Sequence, residues 1–565
     1  MDPSQLVPGQ LIPIPPDFPV EWREPSDPAI FWMRDVMHRP YPMVPLAASF
    51  FDNVIGTGLN HGATKLEMPI RFACRIFNTY YYSAALPVLG ADGKPIPPPP
   101  DEEMAKSPMV MAVMNIAEIW QKEVLPEIKQ IIAQCESIDL AAATLDQLLT
   151  HFDEFVAKTL HAWKLHFEIA HAMLPAMSLF DDFYQEIFGA DPLGAYRLLQ
   201  GLENKSLEAD RGLFALSRTV RNTPAVLRIL ETQPADQVMA ALQASTESTT
   251  FLNELHAWLQ EYGRRGEMFD HLTSVSWLEE PAPAIRNLQS YVRRNDDIDE
   301  HRQELAAERE RLIGAARSTL ASYPQPVRMQ FERLLHSAQA ASVIQEDHNY
   351  WIDQQATHQL RRAFLEVGRR LAAAGSIVAT FDVIYLSMEE TRAALLALLH
   401  KPQKLQERIV ERQAVAAHYA TIQPPMMLGT LPAGPPPDDP GTRAGMRFGG
   451  GPPKVSSDPN TLAGYAGSPG KVSGTVKVIR TLDEAGKLAK GDILVTETTA
   501  PPWTPLFATA AAIVTDAGGV LSHCAVVARE YAIPAVVGTY TATHRLQDGM
   551  RVEVDGDNGL VRILA

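Results

Sequence analysis

Between residues 423 and 459 the composition changes abruptly, and this break limits what the chain can fold into. Pro424-Pro425, Gly434-Pro435-Pro436-Pro437, Gly449-Gly450-Gly451-Pro452-Pro453 and Ser456-Ser457 follow one another with little apolar content. Proline lacks an amide donor and clashes inside a helix, so no long regular element runs through such a stretch. Two bodies are expected, residues 1–422 and 461–565, joined by a flexible Pro/Gly-rich linker over 423–460. Upstream, apolar residues recur at three- and four-residue spacing over 109–135, 140–173, 194–201, 225–229, 235–244 and 250–262. That period predicts a large, mainly α-helical domain. A charged helix is expected over 295–320, a break at Pro324 and Pro326, and a long helix from 327 to about 371. Residues 1–50, rich in proline and aromatics, read as an irregular arm, and Gly56-Thr57-Gly58 followed by Asn60-His61-Gly62 reads as a loop. Beyond Leu462, short β-branched strands alternate with short helices, which predicts a small α/β module. The fold class is thus multidomain.

Composition narrows the partners. A chain of 565 residues supports about two to four domains with ordinary cores. With 50 basic and 67 acidic residues the net charge is −17, and no basic cluster stands out, which argues against nucleic acid or an anionic membrane as partner. No apolar run approaches the ~18 residues that span a bilayer. Met1-Asp2-Pro3-Ser4-Gln5 has neither a basic nor an apolar leader character, so a cytoplasmic location is expected. Cys74, Cys135 and Cys524 are far apart and lack metal-ligand spacing, so they read as reduced thiols and no metal site is expected.

The chemistry concentrates in Thr515-Asp516-Ala517-Gly518-Gly519-Val520-Leu521-Ser522-His523-Cys524-Ala525. A short apolar strand runs into a Gly-Gly turn, which delivers one histidine to the start of an amphipathic helix. Imidazole has an unperturbed pKa of about 6.5, so much of it is nucleophilic at neutral pH. Helix N-terminal N–H groups and the positive dipole end suit phosphate oxygens. Gly518 and Gly519 permit close backbone approach to a bulky anion, and Ser522 is placed to cap the helix or to hydrogen-bond the phosphate.

Residues 461–565 resemble the phosphohistidine swivelling domain of the phosphoenolpyruvate-utilising enzymes. The resemblance rests on Gly467-Ser468-Pro469-Gly470, Gly491-Asp492-Ile493-Leu494-Val495, Pro502-Trp503-Thr504-Pro505, the histidine motif and Val554-Asp555-Gly556. It implies that His523 is the phosphocarrier and that the linker is the tether on which it travels. Leu521 and Cys524 stand where threonine and alanine are frequent in the dikinases. Two upstream stretches, 251–281 and 361–386, resemble the helical drug-binding domain of rifampin phosphotransferases, where the hydroxyl acceptor is held.

Gln345-Glu346-Asp347-His348-Asn349-Tyr350-Trp351-Ile352-Asp353-Gln354 is the densest polar patch of the helical part. On a regular helix Asp347, Trp351, Gln354 and His358 share a face, with His348 beside it. His348 or Asp347 is a candidate to take the acceptor's proton. Trp351, Tyr350 and Asn349 are candidate substrate-binding residues, and Arg264 and Arg265 are candidates to neutralise the transferring phosphoryl group. Rifampin phosphotransferases commonly carry Arg and Lys where this chain has Gln345 and Asn349, which points away from rifampicin as the acceptor.

In the resembled single-chain enzymes an ATP-grasp domain loads the histidine from ATP, releasing AMP and phosphate. No stretch of 1–420 reads like one. The expectation is therefore a two-component dikinase: ATP and Mg²⁺ bound mainly by an ATP-grasp subunit in trans, and this chain carrying phosphohistidine and acceptor. Split systems of this layout resemble phenylphosphate and alkylphenol phosphate synthases, which implies a small phenolic acceptor. The alternatives are an antibiotic or other alcohol as acceptor, or a non-catalytic phosphohistidine carrier.

Overall fold

A computed structural model describes residues 7–96, 101–189, 191, 193–266, 269, 271–293 and 298–564. The chain forms two compact units that interleave along the sequence. One comprises 1–173, 270–273 and 351–438, and the other 174–269, 274–350 and 439–565.

The first unit contains a four-stranded antiparallel sheet in the order Ile70–Phe77, Tyr80–Pro87, Phe31–Arg34, Met427–Gly429. Periodicity missed this sheet, because Tyr80-Tyr81-Tyr82 are all buried and the strand shows no alternation at that end. The expected irregular arm is ordered into the strand Phe31–Arg34, and its last residues open the helix Pro45–Lys65. The expected loop at Asn60-His61-Gly62 is inside that helix. Its glycines serve helix packing instead of a turn. A Cβ on Gly58 would stand 2.3 Å from the Phe167 ring, and one on Gly62 2.9 Å from the Phe167 carbonyl oxygen. The core around this contact joins Phe50, Phe51, Phe152, Trp163, Phe364 and Leu371.

The second unit combines helices with the α/β module. Lys205–Arg221, Thr249–Tyr262 and Ala282–Arg293 enclose Leu213, Phe214, Leu255, Trp258, Leu288 and Tyr291. The charged helix runs Ile298–Leu320, and Gln325–His348 follows after Pro324. The eight-stranded sheet runs in the order Thr461–Ala463, Leu560–Ile563, Arg551–Asp555, Lys471–Val478, Ile493–Thr496, Ala512–Thr515, Ala535–Val537, Tyr465–Ser468. Four central strands are parallel: Lys471–Val478, Ile493–Thr496, Ala512–Thr515 and Ala535–Val537. Those from Ile493 onward are buried on both faces, as a covered parallel sheet requires.

The Pro/Gly stretch carries more structure than its composition predicts. Met427–Gly429 is an edge strand of the first unit's sheet, and Pro440–Gly449 is a helix of the second unit. Proline sits at the first helical position of Pro440–Gly449, where no amide donor is needed, behind an Asp439 cap. Among the described residues no helix is long and apolar enough to cross a membrane.

In the first unit a Cβ on Gly368 would lie 2.2 Å from the Thr380 carbonyl oxygen, a backbone atom that cannot swing aside. Gly368→Ala is therefore expected to destabilise that unit by about 1–3 kcal/mol, read as a lower midpoint of its transition in denaturant unfolding.

Candidate functional site

His523 is placed by the crossover from strand Ala512–Thr515 through helix His523–Glu530 to the parallel strand Ala535–Val537. It is the first residue of that helix, behind Ser522, whose hydroxyl accepts from the Ala525 amide. In open parallel sheets, loops at the carboxyl ends of strands are where ligands are met. The loop is pinned at its base by Asp516, which accepts from the Thr543 amide at 3.1 Å and from the Thr539 and Thr543 hydroxyls. Burial pushes the Asp516 carboxyl up to about 6.

The loop glycines meet other backbone. Gly518 adopts φ +100°, and a Cβ on Gly519 would stand 2.3 Å from the Arg447 carbonyl oxygen. The Gly519 amide donates to Phe448 O at 2.8 Å and the Leu521 amide to Arg447 O at 2.7 Å. In this arrangement the Gly519 amide faces a carbonyl instead of an open anion site, and Ser522 is spent on its cap. Leu521 is buried, and Cys524 packs in the core with Trp503, Phe507 and Val537. Burial pushes the Cys524 thiol up to about 12, so it is no competing nucleophile.

The His523 ring is 9 % exposed, edge-on to Phe507 at 6.4 Å between centroids. Nδ1 lies 3.3 Å from the Thr499 hydroxyl, while Nε2 has no hydrogen-bond partner among the described residues. Burial pulls the imidazole pKa down to about 3. The ring is therefore neutral at pH 7. With Nδ1–H donating to Thr499, the lone pair is on Nε2.

The expected acceptor residues do not share one helix face, although Arg265 lies close enough to Tyr350 for the two to interact electrostatically in the second unit. Gln325–His348 gives way to a π-helical stretch, Asn349–Ala356, so the single face drawn through Asp347, Trp351, Gln354 and His358 does not form. In the second unit Asp347 accepts from the Lys205 amide at 2.8 Å and so holds the start of helix Lys205–Arg221. His348 is buried with Nδ1–H donating to Ile344 O at 2.8 Å, which leaves Nε2 as its basic nitrogen. Tyr350 donates to Glu261, to the backbone oxygen at 3.0 Å and the carboxylate at 2.9 Å. Gln345 donates from Nε2 to Leu521 O at 2.9 Å, two residues before His523. Its Oε1 and the Asn349 Oδ1 have no partner among the described residues. Trp351 belongs to the first unit, half-buried beneath Lys129 Nζ at 4.6 Å. Arg264 is half-buried, and Arg265 is buried with Nε donating to Tyr262 O and its guanidinium 5.7 Å from the Trp277 ring.

Sequence reasoning missed a set of buried acids in the second unit. Glu346 accepts from the Ser206 hydroxyl at 2.7 Å, and burial raises its pKa. Asp210 accepts from Tyr531 at 3.3 Å, Glu530 accepts from the Gly201 amide at 2.9 Å, and burial pushes each to about 7. Arg265 is the largest charge opposing the shift at Asp210. The partners are separated by 140 residues or more along the chain, so no local pattern announces them.

Between about pH 3 and 6.5 an unfolded chain protonates His523 while the native state does not, so this group lowers stability as pH falls through that window. The raised carboxyls Asp210, Glu530 and Asp516 act with the opposite sign. Wild type compared with His523→Gln isolates the histidine. From pH 7 to 5 the wild type is expected to lose about 2 kcal/mol more than the variant in denaturant unfolding.

Two family matches fall largely within this unit. Residues 488–559 match the PEP-utilising enzyme mobile domain, and residues 166–346 match the rifampicin phosphotransferase fourth domain. The chain is 36 % identical over 567 aligned residues to chondramide synthase cmdD of Chondromyces crocatus, covering 98 % of this chain and 14 % of that protein. It is 32 % identical to the uncharacterized phosphotransferase YvkC of Bacillus subtilis, over 95 % of this chain and 62 % of that protein. To a rifampicin phosphotransferase of Streptomyces sviceus it is 28 % identical, over 74 % of this chain and 46 % of that protein. The chain thus spans less than two thirds of each of these relatives. His523 lies in the segment that matches the mobile domain, and the match to the rifampicin phosphotransferase fourth domain precedes it, so these two segments carry the chain's similarity to PEP-utilising enzymes and rifampicin phosphotransferases.

Proposed function

We propose that this chain is the phosphotransfer component of an ATP-dependent dikinase, with His523 as phosphocarrier and a small phenolic hydroxyl as acceptor. The observation that carries the reading is the His523 Nε2: neutral, unpartnered among the described residues, and at a helix N-terminus in a mobile-domain match. In the first step the Nε2 lone pair bonds to the β-phosphorus of ATP as the bridging bond to AMP breaks, and water then cleaves the β–γ bond, releasing the γ-group as phosphate and leaving the β-phosphoryl group on His523. The ATP-grasp module that binds ATP and Mg²⁺ lies outside residues 1–565, on a partner subunit in this reading. In the second step the acceptor oxygen bonds to phosphorus, the N–P bond breaks, and its electron pair returns to Nε2.

The acceptor's proton needs a base. His348 suits this because its Nδ1–H is committed to Ile344 O and its basicity lies at Nε2. Asp347 is tied to the Lys205 amide and is the weaker candidate. A phenol ionises with a pKa of about 10, so modest basic help suffices. The neutral amides of Gln345 and Asn349 favour an acceptor that donates hydrogen bonds over an anionic one.

Incubation of the chain with β-labelled ATP, Mg²⁺ and its native lysate is expected to label the His523 peptide with an acid-labile phosphoryl group. His523→Ala is expected to abolish the label. A wild-type chain that stays unlabelled while ATP is consumed overturns the carrier role. Chasing labelled protein with phenol or p-cresol is expected to discharge it to an aryl phosphate, with His348→Ala slowing discharge by about 10²–10⁴-fold and leaving loading unchanged. Discharge by rifampicin or an aliphatic alcohol alone moves the acceptor class, and discharge only by another protein supports a non-catalytic carrier.

A further inference from the structure

The segment whose composition marks it as a tether contains a ten-residue helix, Pro440–Gly449, seated on the histidine loop of the second unit. The last carbonyls of a helix have no intrahelical donors. Here Arg447 O and Phe448 O take theirs from Leu521 and Gly519, at 2.7 and 2.8 Å. The chain then turns at Gly450, φ +94°, and continues along the mobile domain. Gly451 O accepts from the Tyr540 hydroxyl at 2.7 Å, and Pro452 O from the Tyr465 hydroxyl at 2.9 Å.

The other side of this helix is held by charge. The Arg447 guanidinium lies 2.7 Å from both Asp181 and Asp182 on helix Leu145–Phe188, and Nη1 donates to Ser178 O at 3.1 Å. Arg443 Nε donates to Asp182 at 3.0 Å. The Arg447 and Asp181 side chains are 16 % and 3 % exposed, so this pair is far drier than an ordinary surface salt bridge.

We propose that Pro440–Gly449 is a strap that holds the histidine loop closed, that Arg447 is its latch on Asp181 and Asp182, and that phosphorylation of the loop drives the strap off. Two physical effects point the same way. An amide already donating to a carbonyl at 2.7–2.8 Å is not available to a phosphate oxygen, so Gly519 and Leu521 can grip a phosphoryl group only after the strap lifts. The C-terminal end of Pro440–Gly449 also carries the negative end of its dipole, which repels a phosphoryl dianion at the loop it touches. The unmodified histidine loop accepts the strap, and the charged one expels it. Only this last consequence rests on the phosphohistidine reading, while the latch stands on contacts alone.

Hydrogen exchange of the full chain, followed by mass spectrometry of peptides spanning 516–524, tests the latch. Arg447→Ala and Asp182→Asn are each expected to speed exchange of this segment by at least about tenfold, with the Ile493–Thr496 strand still protected. Exchange at the wild-type rate in a variant that keeps the strand protected overturns the latch. If Arg447→Ala loses its fold, Asp182→Asn decides, because it leaves Arg447 and the buried Asp181 in place. Treatment with phosphoramidate, which transfers its phosphoryl group to histidine with loss of ammonia, is expected to speed exchange of the same segment in wild type and not in His523→Ala. A phosphorylated His523 with unchanged exchange overturns the coupling. Absence of any label on His523 overturns the carrier reading and leaves the variant result standing.

Discussion

The crossover from Ala512–Thr515 through His523–Glu530 to Ala535–Val537 sets what the second unit can do, because it buries an imidazole at the N-terminus of a helix beneath a glycine turn. The ring is neutral there, since burial disfavours its charged form. A neutral imidazole keeps one nitrogen lone pair, and that lone pair is on Nε2 when Nδ1–H donates to the Thr499 hydroxyl 3.3 Å away. The same crowding imposes Gly519, which lies so close to the Arg447 carbonyl that no side chain fits. Reactivity and closure of the loop therefore come from one packing arrangement.

Around this loop the α/β module meets the rest of the same unit through several buried polar contacts beside apolar ones such as Phe269. Arg529 donates to Gly467 O and lies 5.1 Å from the Tyr196 ring, with its pKa drawn down to about 10 by burial. Glu530 takes the Gly201 amide, Tyr531 reaches Asp210, and Gln345 reaches Leu521. A contact built from hydrogen bonds and ion pairs can release without exposing a large apolar face, which suits a domain whose family is described as mobile. An apolar seam of equal area would hold more tightly and give up less readily.

The neutral amides at Gln345 and Asn349 give the stretch around the end of helix Gln325–His348 a different character from one lined by Arg and Lys. Gln345 spends its NH₂ on Leu521, so its oxygen is an acceptor that awaits a donor, and the Asn349 oxygen is in the same condition. Buried acceptors without donors are costly, and such groups recur where a ligand supplies the missing bond. The π-helical turn that follows changes which side chains share a face there.

Local chemistry made part of this legible. The Gly-Gly turn and its histidine, the α/β module, the charged helix and the helical period of Thr249–Tyr262 all follow from near-neighbour rules, and they agree with the elements formed. The sheet built on Phe31–Arg34 was hidden because its strands are buried without alternation, and Gly58 and Gly62 were misread because helix packing and turns both demand the absence of a side chain. Composition alone suggested a tether, but it could not show that Pro440–Gly449 would form a helix and cap a loop some seventy residues further on, since that depends on two carbonyls meeting two amides. The sequence by itself determined that one histidine would start a helix after a glycine turn. Only the tertiary structure decided that this histidine would be buried and neutral and that its loop would be strapped, because burial and long-range hydrogen bonds are set by which surfaces meet and not by residue order.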